Sequence, residues 1–363
     1  MKFTDRAQTL LWKTLEWFKG LVWKIGDLYR PANLKQKGMF AALGLVLGAA
    51  LVLSALLGIY WSQQPGSFDV HAIALQRVSG DKAQVRVGVV YTSTLIKIGE
   101  VLLDKPGGYL SNDIMPPGVW LDNMPNWEFG ALVMLRDGTA ALRNHMSRSQ
   151  SQSVESPSLA EAEPRFNFSN DSWLFPPTEG EYRKGLEFLE VYMRQLADAS
   201  NQQAQFYARA DNLRQYLEIV EKRLGSLSQR LSASVGQIRI NTDLAGDAGA
   251  IQSTAASSSV VVKTPWLELD DVFYEARGAT WALSVILKAV EHDFEDVLKK
   301  KNALISLRQI IRELEEAQQP TLSPVIINGS GFGLFANYSL TMANYIARAN
   351  AAVIDIRDLL QQG

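Results

Sequence analysis

ADNLRQYLEIVEKRLGSLSQRLS, residues 210–232, places Ala210, Leu213, Leu217, Val220, Leu224, Leu227 and Leu231 at steps of three and four. That spacing puts the apolar side chains on one stripe of an α-helix and the charges on the other face. The stripe runs back through Leu186, Leu189, Met193, Leu196, Gln203 and Tyr207, with polar Ser200 filling one step. It predicts a single helix of about 55 residues, roughly 80 Å long. Upstream, WLFPPTEGEYRKG (173–185) holds Thr178 and Glu181 at the Thr-x-x-Glu spacing of a capping box, the natural start of such a helix.

Downstream, GDAGAIQSTAASSS (246–259) reads as a flexible tip. TPWLELDD (264–271) restarts a helix, with Thr264 as N-cap, Pro265 in the first position, and Glu268, Asp270 and Asp271 at the positive end of the dipole. Phe273, Ala276, Leu283, Leu287, Val290, Phe294, Val297, Leu304, Ile311 and Leu314 carry a second stripe toward Pro320. Two stripes of matched length joined by one connection predict a long antiparallel helical hairpin. A third helix over 337–360, with Met342, Tyr345, Ala349, Val353 and Ile356 on one face, packs alongside. The fold class is therefore mainly α, and residues 172–363 are expected to form an elongated helical bundle.

The N-terminal part has a different character. MFAALGLVLGAALVLSALLGIYW (39–61) contains no charge. As a helix it is roughly 35 Å long, enough to cross a bilayer core with some tilt. It begins too far into the chain for a cleaved signal peptide, so an uncleaved anchor over 38–61 is expected. Eight Lys/Arg (Lys2, Arg6, Lys13, Lys19, Lys24, Arg30, Lys35, Lys37) precede it against Asp5, Glu16 and Asp27; the twenty residues after it hold one basic residue, Arg77. The positive-inside rule then puts residues 1–37 in the cytoplasm and the large C-terminal part outside. Gly44 with Gly48, and Ser54 with Gly58, have small-xxx-small spacing and are candidates for self-association of the span into a homo-oligomer.

Within 1–37, Leu11, Leu15, Phe18, Val22, Ile25 and Tyr29 recur at helical spacing, flanked by Trp12, Trp17 and Trp23, until Pro31 ends the pattern. This amphipathic segment suits the inner-leaflet interface of the lipid bilayer, with docking on a partner's membrane helices as the alternative. It is too short for a kinase or methyl-accepting domain.

Residues 62–146 form a membrane-proximal region. QVRVGVVY (84–91) alternates as a strand would and follows the turn-like SGDK, so a small β-hairpin is a candidate near 68–91. From Thr92 the pattern is helical, through Leu95, Ile98, Val101 and Leu102, until Pro106, Gly107 and Gly108 stop it. SRSQSQSVESPSLAEAEP (147–164) reads as the core of a polar linker over 147–171.

Composition narrows the chemistry. The 363 residues are 47% hydrophobic and 20% charged, as in an ordered protein. With no cysteine, thiol nucleophiles, disulfides and thiolate metal sites are excluded. By subtraction the part beyond the span carries 28 basic and 35 acidic residues, so no nucleic-acid partner is expected. His71, His145 and His292 fall in three different segments, without the i,i+4 pair of a helical zinc site. VIINGSGFGLF (325–335) lacks the third glycine of a dinucleotide fingerprint, since position 334 is Leu334, and no lysine follows to make a phosphate loop. No metal and no cofactor is expected.

The remaining candidate is GGYLSNDIMPPGVWLDNMPNWEFG (107–130), which crowds Asn112, Asp113, Asp122, Asn123, Asn126 and Glu128 among aromatic and turn residues. Carboxylate catalysis of the kind used by wall-cleaving glycosidases needs an acid raised by an apolar pocket, and Glu128, between Trp127 and Phe129, and Asp122, after Trp120, are the candidates. The favoured reading is structural: Asn126 caps a helix over 127–146, Glu128 complements its dipole, and the loop packs on the bundle. In that reading Tyr109, Trp120, Asn123 and Trp127 are candidates for partner docking.

LLDKPGGYLSNDIMPPGVWLDNMPNWEFG (102–130) together with SWLFPPTEGEY (172–182) and the N-terminal anchor resembles a family of proteobacterial inner-membrane proteins known only as a domain of unknown function. The resemblance implies the inner membrane of a Gram-negative cell with the large part in the periplasm. It implies no reaction and no ligand. The expected role is a membrane-anchored periplasmic scaffold or partner-binding protein of the cell envelope. The rivals are a periplasmic adaptor of a transport assembly, which would flank its hairpin with β-rich domains, and a wall-active hydrolase using Asp122 or Glu128.

Overall fold

The computed structural model describes residues 39–149, 155–201, 203–240, 259–321, 325–329 and 335–362, with ten further positions between 12 and 27. The chain divides into two compact units, residues 1–60 and 61–363.

In the first unit the described positions between 12 and 27 are helical, and Trp12, Trp17 and Trp23 are exposed. The expected apolar stripe from Leu11 to Tyr29 lies outside the described residues. Helix α1, Met39–Trp61, is long and apolar enough to cross a membrane. A Cβ added at Gly44 or Gly48 would meet nothing within 4 Å. Ser54 is half-buried and Gly58 buried.

The second unit is mainly α, as its periodicity predicts. Helix α2 (Val70–Arg77) is capped by Asp69, whose carboxylate accepts from His71 N at 2.9 Å and Ala72 N at 3.0 Å. Helix α3 (Val89–Asp104) follows. The β-hairpin considered for 68–91 is therefore absent, and QVRVGVVY enters a helix instead. Every residue from Gly88 to Ile96 is buried. A run buried all round shows no helical stripe, so its β-branched residues mimic a strand. Gly88 sits at φ +92°, with the Phe206 ring filling the space a Cβ would need. It has no side chain to cap α3, and Asp293 does so from a distance: its carboxylate accepts from Tyr91 N at 2.8 Å. Thr92 and Thr94 return their hydroxyls to the carbonyls four residues back, each at 2.8 Å.

Helix α4 (Asn123–Ala141) passes into a π-turn over Leu142–Met146. The linker expected over 147–171 is corrected by helix α5 (Pro157–Phe166), which buries Leu159, Ala162 and Phe166 against helix α6 (Thr178–Ala197). Pro157 supplies the preset first-turn φ. Residues 150–154 lie outside the described set. The Thr178–Glu181 capping box does not form. Thr178 is already helical and donates its hydroxyl to the carbonyls of Ser169 at 2.8 Å and Ser172 at 2.9 Å, while Glu181 pairs with Arg165 and Lys184.

The 55-residue helix is broken. After α6 the chain is irregular until helix α7 (Ala210–Ser232). The break falls at the polar step of the stripe: Asp198 accepts from Ser200 N at 2.9 Å and Asn201 from Gln203 N at 2.8 Å, local bonds that compete with helical ones. Phe206 in this segment enters the core, 5.6 Å from the Phe294 ring and 6.0 Å from Tyr91.

Strands β1 (Gln237–Ile240) and β2 (Ser259–Val262) pair antiparallel beyond α7. Residues 241–258, most of the expected flexible tip, lie outside the described set. A 3-10 turn over Trp266–Glu268 precedes helix α8 (Leu269–Asp293), and Thr264 N bonds to Ala233 O at 3.1 Å, so the helix starts later than its Thr-Pro signal suggests. The second stripe is also divided, into α8, α9 (Glu295–Lys300) and α10 (Leu304–Glu316). Helix α11 (Tyr338–Gln361), capped by Asn337, matches the third predicted helix.

The predicted pairing of stripes is replaced by another. Helix α7 packs chiefly on α11, running antiparallel: Glu221 meets Arg357, and Ser228 bonds to Ala343 O at 3.2 Å. Helix α8 becomes the centre of the unit, buried at every position from Ala276 to Leu287 and packed on α3, α4 and α10. Its closest neighbour is α4. A Cβ on Gly278 would stand 1.8 Å from Trp127 O, and one on Gly130 would stand 2.0 Å from Glu275 O. Glycine at both places lets the two backbones touch.

Candidate functional site

The loop from Gly107 to Leu121 joins α3 to α4. It starts with Gly107 and Gly108 at φ +88° and +76°, values that glycine adopts without strain. The Trp61 ring occupies the space beside Gly107, with its Cγ 2.7 Å from where a Cβ would lie.

Glu128, on the second turn of α4, reaches back across this loop. One carboxylate oxygen accepts from Lys105 Nζ and from Leu110 N at 2.8 Å; the other accepts from Ser111 N at 2.8 Å and from the Ser111 hydroxyl. Lys105 Nζ also donates to Gly108 O. Burial pushes the Glu128 carboxyl above its ordinary range, and the Lys105 ammonium and the loop donors pull it back. Glu128 is thus a clasp that fastens the loop to α4, with all four of its neighbours supplied by the protein.

Asp122, rather than Asn126, caps α4, accepting from Asn123 N at 2.8 Å. Asn126 instead donates to Asp122 O at 3.0 Å and to Asp271 on α8 at 2.7 Å. Burial, then the charge of Asp122, raises the Asp271 carboxyl. Asp122 and Glu128 therefore serve different contacts: one terminates a helix in water, the other is sealed inside. Among the described residues no group of three or more His, Asp or Glu is placed to hold a metal ion.

The four docking candidates separate in the same way. Trp127 is wholly buried, its ring 5.0 Å from Trp281. Tyr109 is buried too. Its hydroxyl donates to Asn170 O at 3.1 Å, its ring meets Tyr182 edge-on at 5.8 Å, and burial pushes its phenol far up. Asn123 is half-buried. Only Trp120 of the four presents a large apolar surface, 56% exposed.

Trp120 has exposed apolar neighbours that periodicity could not single out: Ile114, Met115 and Val119 in the same loop. A second loop, 169–177, adds Trp173, Leu174 and Phe175. Asn112 ties the loops together, donating to Ser172 O at 2.9 Å and to Glu179 at 2.8 Å. The signal available in sequence was two short uncharged runs, IMPPGVW and WLFPP, each stiffened by a proline pair.

Residues 63–67, which follow α1, are fastened to α8. Arg277 Nε donates to Gln64 Oε1 at 2.8 Å and Trp281 Nε1 to Gly66 O at 3.1 Å. A cleft of about 790 Å³ lies along this seam. The buried guanidinium of Arg277 is already committed there, donating to the carbonyls of Ala317, Gln318 and Gln319 at the end of α10.

Two histidines that sequence placed in separate segments meet: the His71 and His292 rings lie 5.3 Å apart. His292 Nδ1 is 3.3 Å from Asp293 Oδ1, and this contact raises the imidazole above its ordinary value.

No curated protein and no solved structure matches the chain. A family model described as an uncharacterized protein conserved in bacteria, DUF2333, matches residues 34–363, and the chain belongs to that family.

Proposed function

We propose that this protein is a membrane-anchored helical scaffold of the Gram-negative cell envelope, with residues 1–37 in the cytoplasm and residues 62–363 in the periplasm, where it binds an envelope protein partner. The carrying observation is the state of Glu128. A general acid must present its proton to a substrate. Glu128 has no exposed surface, and Lys105, Leu110 and Ser111 surround both its oxygens. Asp122 is spent as a helix cap and is no closer to a catalytic role. This weighs against the wall-active hydrolase. The transport-adaptor reading calls for β-rich flanking domains, whereas the described segments on either side of the long helices are helical.

The orientation rests on the excess of basic residues before α1. The chain has no native cysteine, so single cysteines report cleanly. Ser257→Cys should react with a membrane-impermeant thiol reagent in cells with a permeabilised outer membrane, and Thr9→Cys should be protected. The reverse pattern would invert the topology. Photo-crosslinkers at exposed positions of 62–363 should capture one envelope protein at neighbouring sites, competed by unmodified chain. Cleavage of isolated cell-wall peptidoglycan by the purified full-length protein would replace the scaffold with the hydrolase.

A further inference from the structure

We infer that the paired loop tips at 114–120 and 173–175 form a foot that seats in the outer-leaflet interface of the same membrane that holds α1. This rests on the anchored reading above.

The tips are apolar and exposed. Met115 is 71% and Phe175 88% accessible, and Trp120 and Trp173 are each more than half exposed. Keeping such side chains in water is unfavourable, so a surface of this kind is normally covered. No charge interrupts either tip. Of the acids beside the tips, Asp113 is partly buried with its Oδ2 against Gly118, and burial pushes its carboxyl up, while Asp171, exposed two residues before Trp173, accepts from the Ser169 hydroxyl. The mixture of tryptophan, phenylalanine, methionine and isoleucine is that of a membrane-interface anchor.

Placement identifies the bilayer as the occupant. Trp61 is the last residue of the apolar helix, and its ring fills the space beside Gly107, the first residue of the loop. From Gly107 the chain reaches Met115 in eight residues, at most about 28 Å when fully extended. The second tip is held to the first through Asn112 and Ser172, and through Tyr109 and Asn170. Both tips are therefore tethered, by contacts inside residues 61–363, to the point where the chain leaves the span. The bonds from α8 to Gln64 and Gly66 fix that exit segment on the same body. A bilayer is the apolar phase within that reach.

The test uses the full-length chain in vesicles of phosphatidylethanolamine and phosphatidylglycerol. Met115→Cys and Phe175→Cys change exposed side chains, and circular dichroism checks that each stays folded. Each cysteine carries an environment-sensitive fluorophore, and nitroxide-labelled lipid is the quencher. Quenching at both tips is expected, with none at Lys222→Cys, an exposed position on α7. Ala50→Cys in α1 separates the two readings. Quenching at position 50 without quenching at 115 and 175 overturns the foot and leaves the anchor standing. Absence of quenching at 50 overturns the anchor, and the foot with it. In cells, photo-crosslinkers at 115 and 175 should yield lipid adducts. A discrete protein adduct, or a dimer of this chain, would overturn the bilayer as occupant.

Discussion

The Lys105 ammonium and the Glu128 carboxylate form an ion pair closed off from water, their side chains 1% and 0% exposed. Such a pair adds little net stability relative to apolar residues of the same shape, but losing one partner strands the other. Glu128→Gln is therefore expected to destabilise the fold by about 3–5 kcal/mol. This is well beyond the cost of an acid that only complements a helix dipole. Chemical denaturation of the wild type and the variant measures the difference.

Lys105→Met exposes the other half of the same relationship. Burial then acts on Glu128 with less opposition, and its carboxyl rises further. A carboxyl raised in the folded state favours folding fully below its unfolded pKa, and that advantage is lost as pH rises through the raised folded value. The variant should therefore be weakest near neutrality and recover toward wild type as the solution is acidified into the carboxylate range. Thermal melts across that range check the sign. A deficit that does not change with pH would mean that Glu128 is not charged at neutrality.

His292 gives a second pH response, from its contact with Asp293. A raised imidazole contributes stability that is fully present below the ordinary value of about 6.5 and is lost as pH rises through the folded value. Glu295 also supports the charged form. An NMR titration should find His292 above His145, which burial lowers. His292→Gln should remove the corresponding slope from the stability profile.

The contact of α4 with α8 depends on having no side chain at Gly278. Gly278→Ala must push Trp127 O away and part the two helices, an overpacking cost of about 1–3 kcal/mol or more. Gly180→Ala is the matched control. Its Cβ would lie 3.6 Å from Pro177, ordinary contact, and alanine suits the helix better by roughly 0.5–1 kcal/mol. Opposite shifts in melting temperature are expected from the two changes.

What the sequence made legible follows from which faces are wet. Helices α7 and α11 each keep a polar face, and their stripes were readable. The first half of helix α3, Val89–Ile96, and the middle of α8 are buried all round. The start of the first, Val89, Val90 and Tyr91, passed for the end of a strand. The second supplied a stripe whose partner could not be read from periodicity. Helix α5 was hidden in a serine-rich run because only Leu159, Ala162 and Phe166 mark its inner face. At the site, the loop and its two acids were found. The role of Glu128 depends on Lys105 and on the amides of Leu110 and Ser111, some twenty residues upstream, and no spacing rule connects them.

Two tryptophans, Trp127 on α4 and Trp120 in the loop before it, provide the last contrast. Trp127 is fully buried against Trp281, and its backbone carbonyl is pressed on Gly278. Trp127→Ala leaves a cavity at the contact of α4 with α8 and should cost about 3–5 kcal/mol. Trp120 stands seven residues earlier, in the loop, and keeps 56% of its surface in solvent. Trp120→Ala removes little packing, and a surface substitution of this kind stays within about 0.5 kcal/mol. Its melting temperature should match wild type in detergent. If the foot is seated in lipid, Trp120→Ala should still reduce quenching of the fluorophore at Met115→Cys in vesicles. A large loss of stability from Trp120→Ala would place that ring in the core and remove it from the foot. An unchanged melting temperature for Trp127→Ala would contradict the packing of the two central helices.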